Sequence, residues 1–281
     1  MASGGNTGTG GRGELGGGGG QLTGEGTGGS TTAVSCPAGE KKCVNATTLS
    51  VCALSGDKVT LFDCPTGCDG TACEQADLQT GWTIYRFKAT DDTVQVSAAY
   101  VFEQLGRVAT ESENALPTAY VNEHAFETLH ATGKISVQTT SDDDFIGFVF
   151  GWQDMSHFYL FDWKKAEQND GTCGIAKQGM SLKLMSAASE PLTCDNYWAS
   201  AGTAAVTSLS PPAGPGWVSN VVYSFDLVWK PGDITITVKD GSTVVGTVTS
   251  KDASIKSGRF GFWNYSQSAV RYEAFTIEPA P

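Results

Sequence analysis

The chain has 281 residues, a net charge of −12 at pH 7, 40% hydrophobic side chains and eight cysteines. An acidic surface repels phosphate backbones, which sets nucleic acid aside as a partner. No apolar run approaches the roughly 18 residues a membrane-spanning helix needs.

Fifteen of the first thirty residues are glycine. Such a stretch cannot bury enough apolar surface to offset its backbone entropy, so residues 1–34 are expected to be a disordered glycine-rich tether. The start, Met1 to Gly5, lacks the basic and apolar regions of a signal peptide. Read literally that means cytoplasm, but the cysteines that follow argue otherwise, so the chain is read as a mature form with an added initiator Met whose N-terminal anchor has been lost, as in a secreted protein or a bacterial lipoprotein.

Residues 35–75 carry Cys36, Cys43, Cys52, Cys64, Cys68 and Cys73. The apolar residues between them are too few for an ordinary core, and a module this short needs staples. There is no Cys-x-x-Cys spacing and no nearby histidine, so three disulfides are favoured over zinc. Six cysteines allow 15 pairings, and spacing alone does not choose among them. Leu54–Leu61 is expected to form a small hairpin. The last two cysteines, Cys173 and Cys194, lie in a polar stretch and are expected to close a long loop. Full pairing implies an oxidising compartment.

From residue 76 to residue 281 the pattern is that of strands. Tyr223, Phe225, Leu227 and Trp229 alternate with Ser224, Asp226, Val228 and Lys230, a period of two with one apolar face. Asp240-Gly241 between β-branched runs predicts a hairpin. The change of phase from Val270 and Tyr272 to Phe275 and Ile277 predicts a bulge near Ala274. Ala98–Glu111 is the one stretch with partly helical character. Many short strands at this spacing make an all-β sandwich or jelly roll.

The chemistry concentrates at Asp142, Asp143 and Asp144, which run into the apolar strand Phe145–Trp152. Three adjacent carboxylates cannot all be buried unpaired. They sit at an exposed edge, or a positive group lies between them, with Ca²⁺ the leading candidate because it wants six to eight oxygens. Strand alternation would let at most two of the three converge on one ion. Asp154, at the far end of that strand and roughly 25 Å away if it is straight, would belong to a second metal site with Gln153 or with Asn169 and Asp170. Trp152, Tyr197, Trp198 and Trp217 lie in or beside predicted loops, where a sugar-binding protein places stacking rings. Glycosidases need two carboxylates flanking a groove. The only such spacings, Glu111/Glu113 and Asp142/Asp144, lack an apolar setting that would raise one pKa. His124, His130 and His157 accompany no nucleophile motif. Catalysis is not expected.

Four separated blocks carry a resemblance. They are Ser141–Gln153, Phe158–Lys164, Gly179–Leu184 and Gly258–Gln267, and together they resemble the C-terminal domain of thrombospondins across most of residues 77–281. The resemblance implies a concanavalin-like jelly roll in an extracellular, calcium-binding adhesion domain at a cell surface, with a surface protein or glycan as partner. Thrombospondins place Asp-rich calcium repeats ahead of this domain, whereas a six-cysteine module of bacterial stalk type and the tether stand here. Two alternatives accompany this reading: a polysaccharide-active hydrolase or lyase on the same fold, and a structural stalk protein without a small ligand.

Overall fold

In a computed structural model of the protein, residues 35–64, 66–87, 96–188 and 192–280 are described; the tether expected over residues 1–34 lies outside them. In the cysteine-rich segment, β1 (Lys41–Asn45), β2 (Thr48–Cys52) and β3 (Val59–Asp63) form an antiparallel sheet, followed by the two-residue ribbon β4 (Cys68–Asp69) and β5 (Ala72–Cys73). The disulfides pair Cys36 with Cys52, Cys43 with Cys68 and Cys64 with Cys73. They enclose a core of little more than Leu49 and Val51, too small to hold the segment alone.

The strands that follow are β6 (Trp82–Arg86), β7 (Tyr100–Glu103), β8 (Val108–Glu111), β9 (Thr118–Phe126), β10 (Leu129–Val137), β11 (Phe145–Asp154) and β12 (His157–Lys164). The short pair β13 (Gln168–Asp170) and β14 (Gly174–Ala176) comes next, then β15 (Gly179–Ser186) and the single-turn helix α1 (Cys194–Trp198). The chain closes with β16 (Val206–Ala213), β17 (Tyr223–Lys230), β18 (Asp233–Asp240), β19 (Thr243–Ser250), β20 (Gly258–Tyr265) and β21 (Val270–Glu278). They assemble into two seven-stranded antiparallel sheets. One has the order β19-β18-β17-β10-β21-β8-β7, the other β16-β15-β12-β11-β20-β9-β6.

The sheets differ in what covers them. In β17, Tyr223, Phe225, Leu227 and Trp229 are buried while the residues between them reach solvent, so the first sheet has one wet face. In β11 every residue from Phe145 to Trp152 is buried. Ile146, Phe148 and Phe150 enter the core between the sheets, whereas Phe145, Val149 and Trp152 enter a second core on the outer face. Leu192, Tyr197 and Trp198, from the α1 region, roof that second core. This explains a strand that is apolar on both faces within an antiparallel sheet. Gly147 is needed there, because a Cβ would meet the Phe161 carbonyl oxygen at 2.0 Å.

Several local expectations change. Ala98–Glu111 contains no helix; Tyr100–Glu103 and Val108–Glu111 are paired strands whose turn places Gln104, Leu105 and Gly106 at positive φ. The second hairpin turns one residue later than expected: Asp240 pairs with Thr243, and Gly241 carries the positive φ. The bulge at Ala274 is present, with φ 55° and a register shift against β10. Cys173 and Cys194 are joined, but they enclose β14 and the core strand β15 rather than a loop.

Candidate functional site

Asp142, Asp143 and Asp144 precede β11 instead of lying within it, so strand alternation does not apply. One carboxylate oxygen from each lies within 4.8 Å of the others. All three converge, contrary to the two expected from a strand. The antiparallel register of β11 with β12 pairs Phe145 with Lys164, which carries the lysine ammonium into the group. Lys164, only 1% exposed along its side chain, donates to Asp144 Oδ1 at 2.7 Å, Asp143 Oδ1 at 3.2 Å, the Asp143 carbonyl at 2.9 Å and Gln168 Oε1 at 2.7 Å.

Both Asp142 carboxylate oxygens are engaged as well. Asp142 Oδ2 accepts from Asn114 Nδ2 at 2.7 Å, and its Oδ1 accepts from the Asp143 amide at 3.0 Å. Lys165 Nζ donates to the Asp142 carbonyl at 3.0 Å. Gln267, fully buried, receives the Asp144 amide on Oε1, and Asn264 links Gln267 to Glu111. Burial pushes the Asp144 carboxyl above the usual carboxylate range, while the charge and hydrogen bond of Lys164 pull it back.

Calcium fits this arrangement poorly. The donors are hard oxygens of the right kind, but Asp143 and Asp144 already surround an ammonium, and a second cation on the same oxygens would face that charge at close range. The residues as placed do not form a calcium site.

Asp154 is elsewhere, at the β11–β12 turn, where Oδ1 accepts from the Ser156 amide at 2.7 Å and pairs with His157 Nδ1 at 2.9 Å. Among the described residues, only Asp142–Asp144 bring three potential metal-ligand side chains together. Trp152, Trp198 and Trp217 are 1%, 6% and 1% exposed, so none offers a ring face to a sugar. Trp152 packs against Phe158 and Tyr85. Trp198 faces Lys164 Nζ, and Trp217 donates Nε1 to the Asp144 carbonyl. Both help wall the acid cluster. Tyr197 is buried in the outer core.

Lys164, Gln168, Asn114 and Gln267 were not singled out from the sequence. A signal for Lys164 existed: a lysine closes a largely aromatic strand, and the hairpin register places it opposite the residue that follows the acids.

Two cavities lie at the seam between the cysteine-rich segment and the sandwich. One, of about 330 Å³, is lined by Glu74, Asp77, Asn122, Glu123, His124 and Phe126 among others. Asn122 is 8% exposed, and its Oδ1 accepts from the His124 amide at 2.8 Å. The other, of about 510 Å³, runs past Leu54, Lys58, Phe62 and Lys230. The seam is held by Phe62 packed on Phe126 and by buried Glu278, which pairs with Lys41 and His130 and accepts from the Cys73 amide.

The chain is 30% identical to thrombospondin-3b of Danio rerio over 189 residues, 63% of this chain and 20% of that protein. It is 28% identical to thrombospondin-2 of Gallus gallus, over 66% of this chain and 17% of the relative, and 28% identical to cartilage oligomeric matrix protein of Rattus norvegicus, over 63% and 25%. It thus spans a quarter or less of the length of these relatives. Among solved structures, the Ca²⁺-bound exoplasmic/lumenal domain of VIP36 overlays at a TM-score of 0.48 and 8% identity, covering 72% of this chain and 84% of that one, too loosely to argue from. The family model of the thrombospondin C-terminal region matches residues 95–279, the whole sandwich except its first strand, and the chain belongs to that family.

Proposed function

We propose that this chain is an extracellular recognition module of the thrombospondin C-terminal kind, which binds a glycan or surface protein and does no covalent chemistry. The observation that carries this reading is the family match over residues 95–279, with four disulfides that suit an oxidising compartment. No helix among the described residues is long and apolar enough to cross a membrane. In the Glu111/Glu113 pair, contrary to the sequence expectation, burial does raise one carboxyl, pushing Glu111 up to about 7. Glu111 is fully buried and braces the Glu113 and Ala99 amides, away from any substrate.

We place the ligand at the seam, in the acidic 330 Å³ cavity, where the Asn122 amide and the Glu123 carboxylate can meet hydroxyl or amide groups. Buried Trp152, Trp198 and Trp217 take no part. Recognition does not depend on calcium at Asp142–Asp144, where four of the six carboxylate oxygens accept from protein donors.

Binding of the purified chain to a glycan array and to cells tests this. Wild type is expected to retain a defined set of glycans or cells, and Glu123→Lys, at an exposed rim position, to lose them by tenfold or more, since one charged contact contributes about 1.5–3 kcal/mol. Undiminished binding by Glu123→Lys contradicts the placement. Absence of binding to both contradicts the recognition role.

A further inference from the structure

We infer that Lys164 is the resident cation of the acid cluster: its ammonium stands where a divalent ion would have to sit, so the module holds its fold without calcium. The three hydrogens of Nζ are shared among four oxygens between 2.7 and 3.2 Å away, an arrangement closer to ion coordination than to a single salt bridge. The lysine is not a surface residue that happens to lean inward. It is buried on β12, with Nζ 5.3 Å from the Phe145 ring centroid and 5.7 Å from that of Trp198, so it cannot leave without emptying a walled position.

Both charges need each other. A buried ammonium is costly unless paired, and so is a carboxylate buried as deeply as Asp144. Lys165 adds a second positive group on the Asp142 carbonyl, beside the Trp217 ring. The chain's own lysines therefore offset two of the cluster's three negative charges.

Without Lys164, the Asp143 and Asp144 carboxylates, the Asp143 carbonyl and Gln168 Oε1 would converge with no cation between them. These are the hard oxygens calcium prefers, so Lys164→Met should open a calcium site that the wild type lacks.

Thermal melts and calorimetric titration of the full chain, in EDTA and in millimolar Ca²⁺, test this. Wild type is expected to melt at the same temperature in both, and Lys164→Met to melt lower in EDTA and to regain several degrees with Ca²⁺. A wild-type rise with Ca²⁺ that Asp143→Asn abolishes overturns the inference. A rise that Asp143→Asn leaves intact puts calcium at another site, and the inference stands. A folded Lys164→Met variant that ignores Ca²⁺ overturns it too. Should that variant fail to fold, the wild-type and Asp143→Asn melts decide alone.

Discussion

A lysine shielded from water needs its counter-charges within hydrogen-bond reach, and Lys164 has them in Asp143 and Asp144. Two other titratable residues are perturbed for different reasons. Glu111 has no cationic partner among the described residues; burial pushes it up to about 7, although the Glu113 and Ala99 amides oppose the shift. A carboxyl raised in the folded state contributes stability that is complete below its unfolded range and is lost as pH rises through the folded value. Glu111→Gln should therefore leave the melting temperature unchanged near pH 4 and raise it by several degrees at pH 8, read from melts across that range. His130 behaves differently. Hydrogen bonds to Asp226 and then Glu278 hold its proton, pushing it up to about 9 against the effect of burial. Its contribution is complete below about 6.5, the ordinary histidine value, and is lost as pH rises through about 9. The difference in melting temperature between wild type and His130→Gln should be largest at pH 6 and absent at pH 10.

At the scale of elements, α1 and its flanks exist to cover a sheet that would otherwise expose aromatic rings. Buried Lys183 ties Asp162 of β12 to the Tyr197 carbonyl in α1, and the Cys173–Cys194 disulfide fixes the start of the helix beside the β13–β14 ribbon. Replacing both cysteines with serine should cost about 3 kcal/mol in urea unfolding, the loop-entropy expectation for a closure of this length. Dye binding to the uncovered outer face should rise in parallel. The strands themselves were legible, since period-two alternation in Tyr223–Trp229 and the two-faced apolar run in Phe145–Trp152 each report how many faces are buried. The roof was not. Trp198 and Trp217 look like loop residues from local pattern, and only tertiary contact turns them inward. The convergence of three acids was hidden for a related reason: the strand begins one residue after them, and one residue decides whether alternation holds.

For the molecule as a whole, the sandwich and the cysteine-rich segment meet across buried polar and aromatic contacts, and the seam cavities follow from that meeting. Sequence blocks carried the family and the broad architecture, because aromatic strands in a fixed order constrain a fold strongly. They could not carry the seam, which depends on Phe62 reaching Phe126 and on Lys41 reaching Glu278 across more than two hundred residues of chain, nor the disulfide pairing. The sandwich is built around an acid cluster that holds its own lysine ammonium. A crystal structure of the full chain grown in millimolar Ca²⁺ tests that most directly. The account predicts the Lys164 ammonium in contact with Asp143 and Asp144, with no ion between them. A calcium ion at about 2.3–2.6 Å from those carboxylates, with Lys164 displaced, would contradict it.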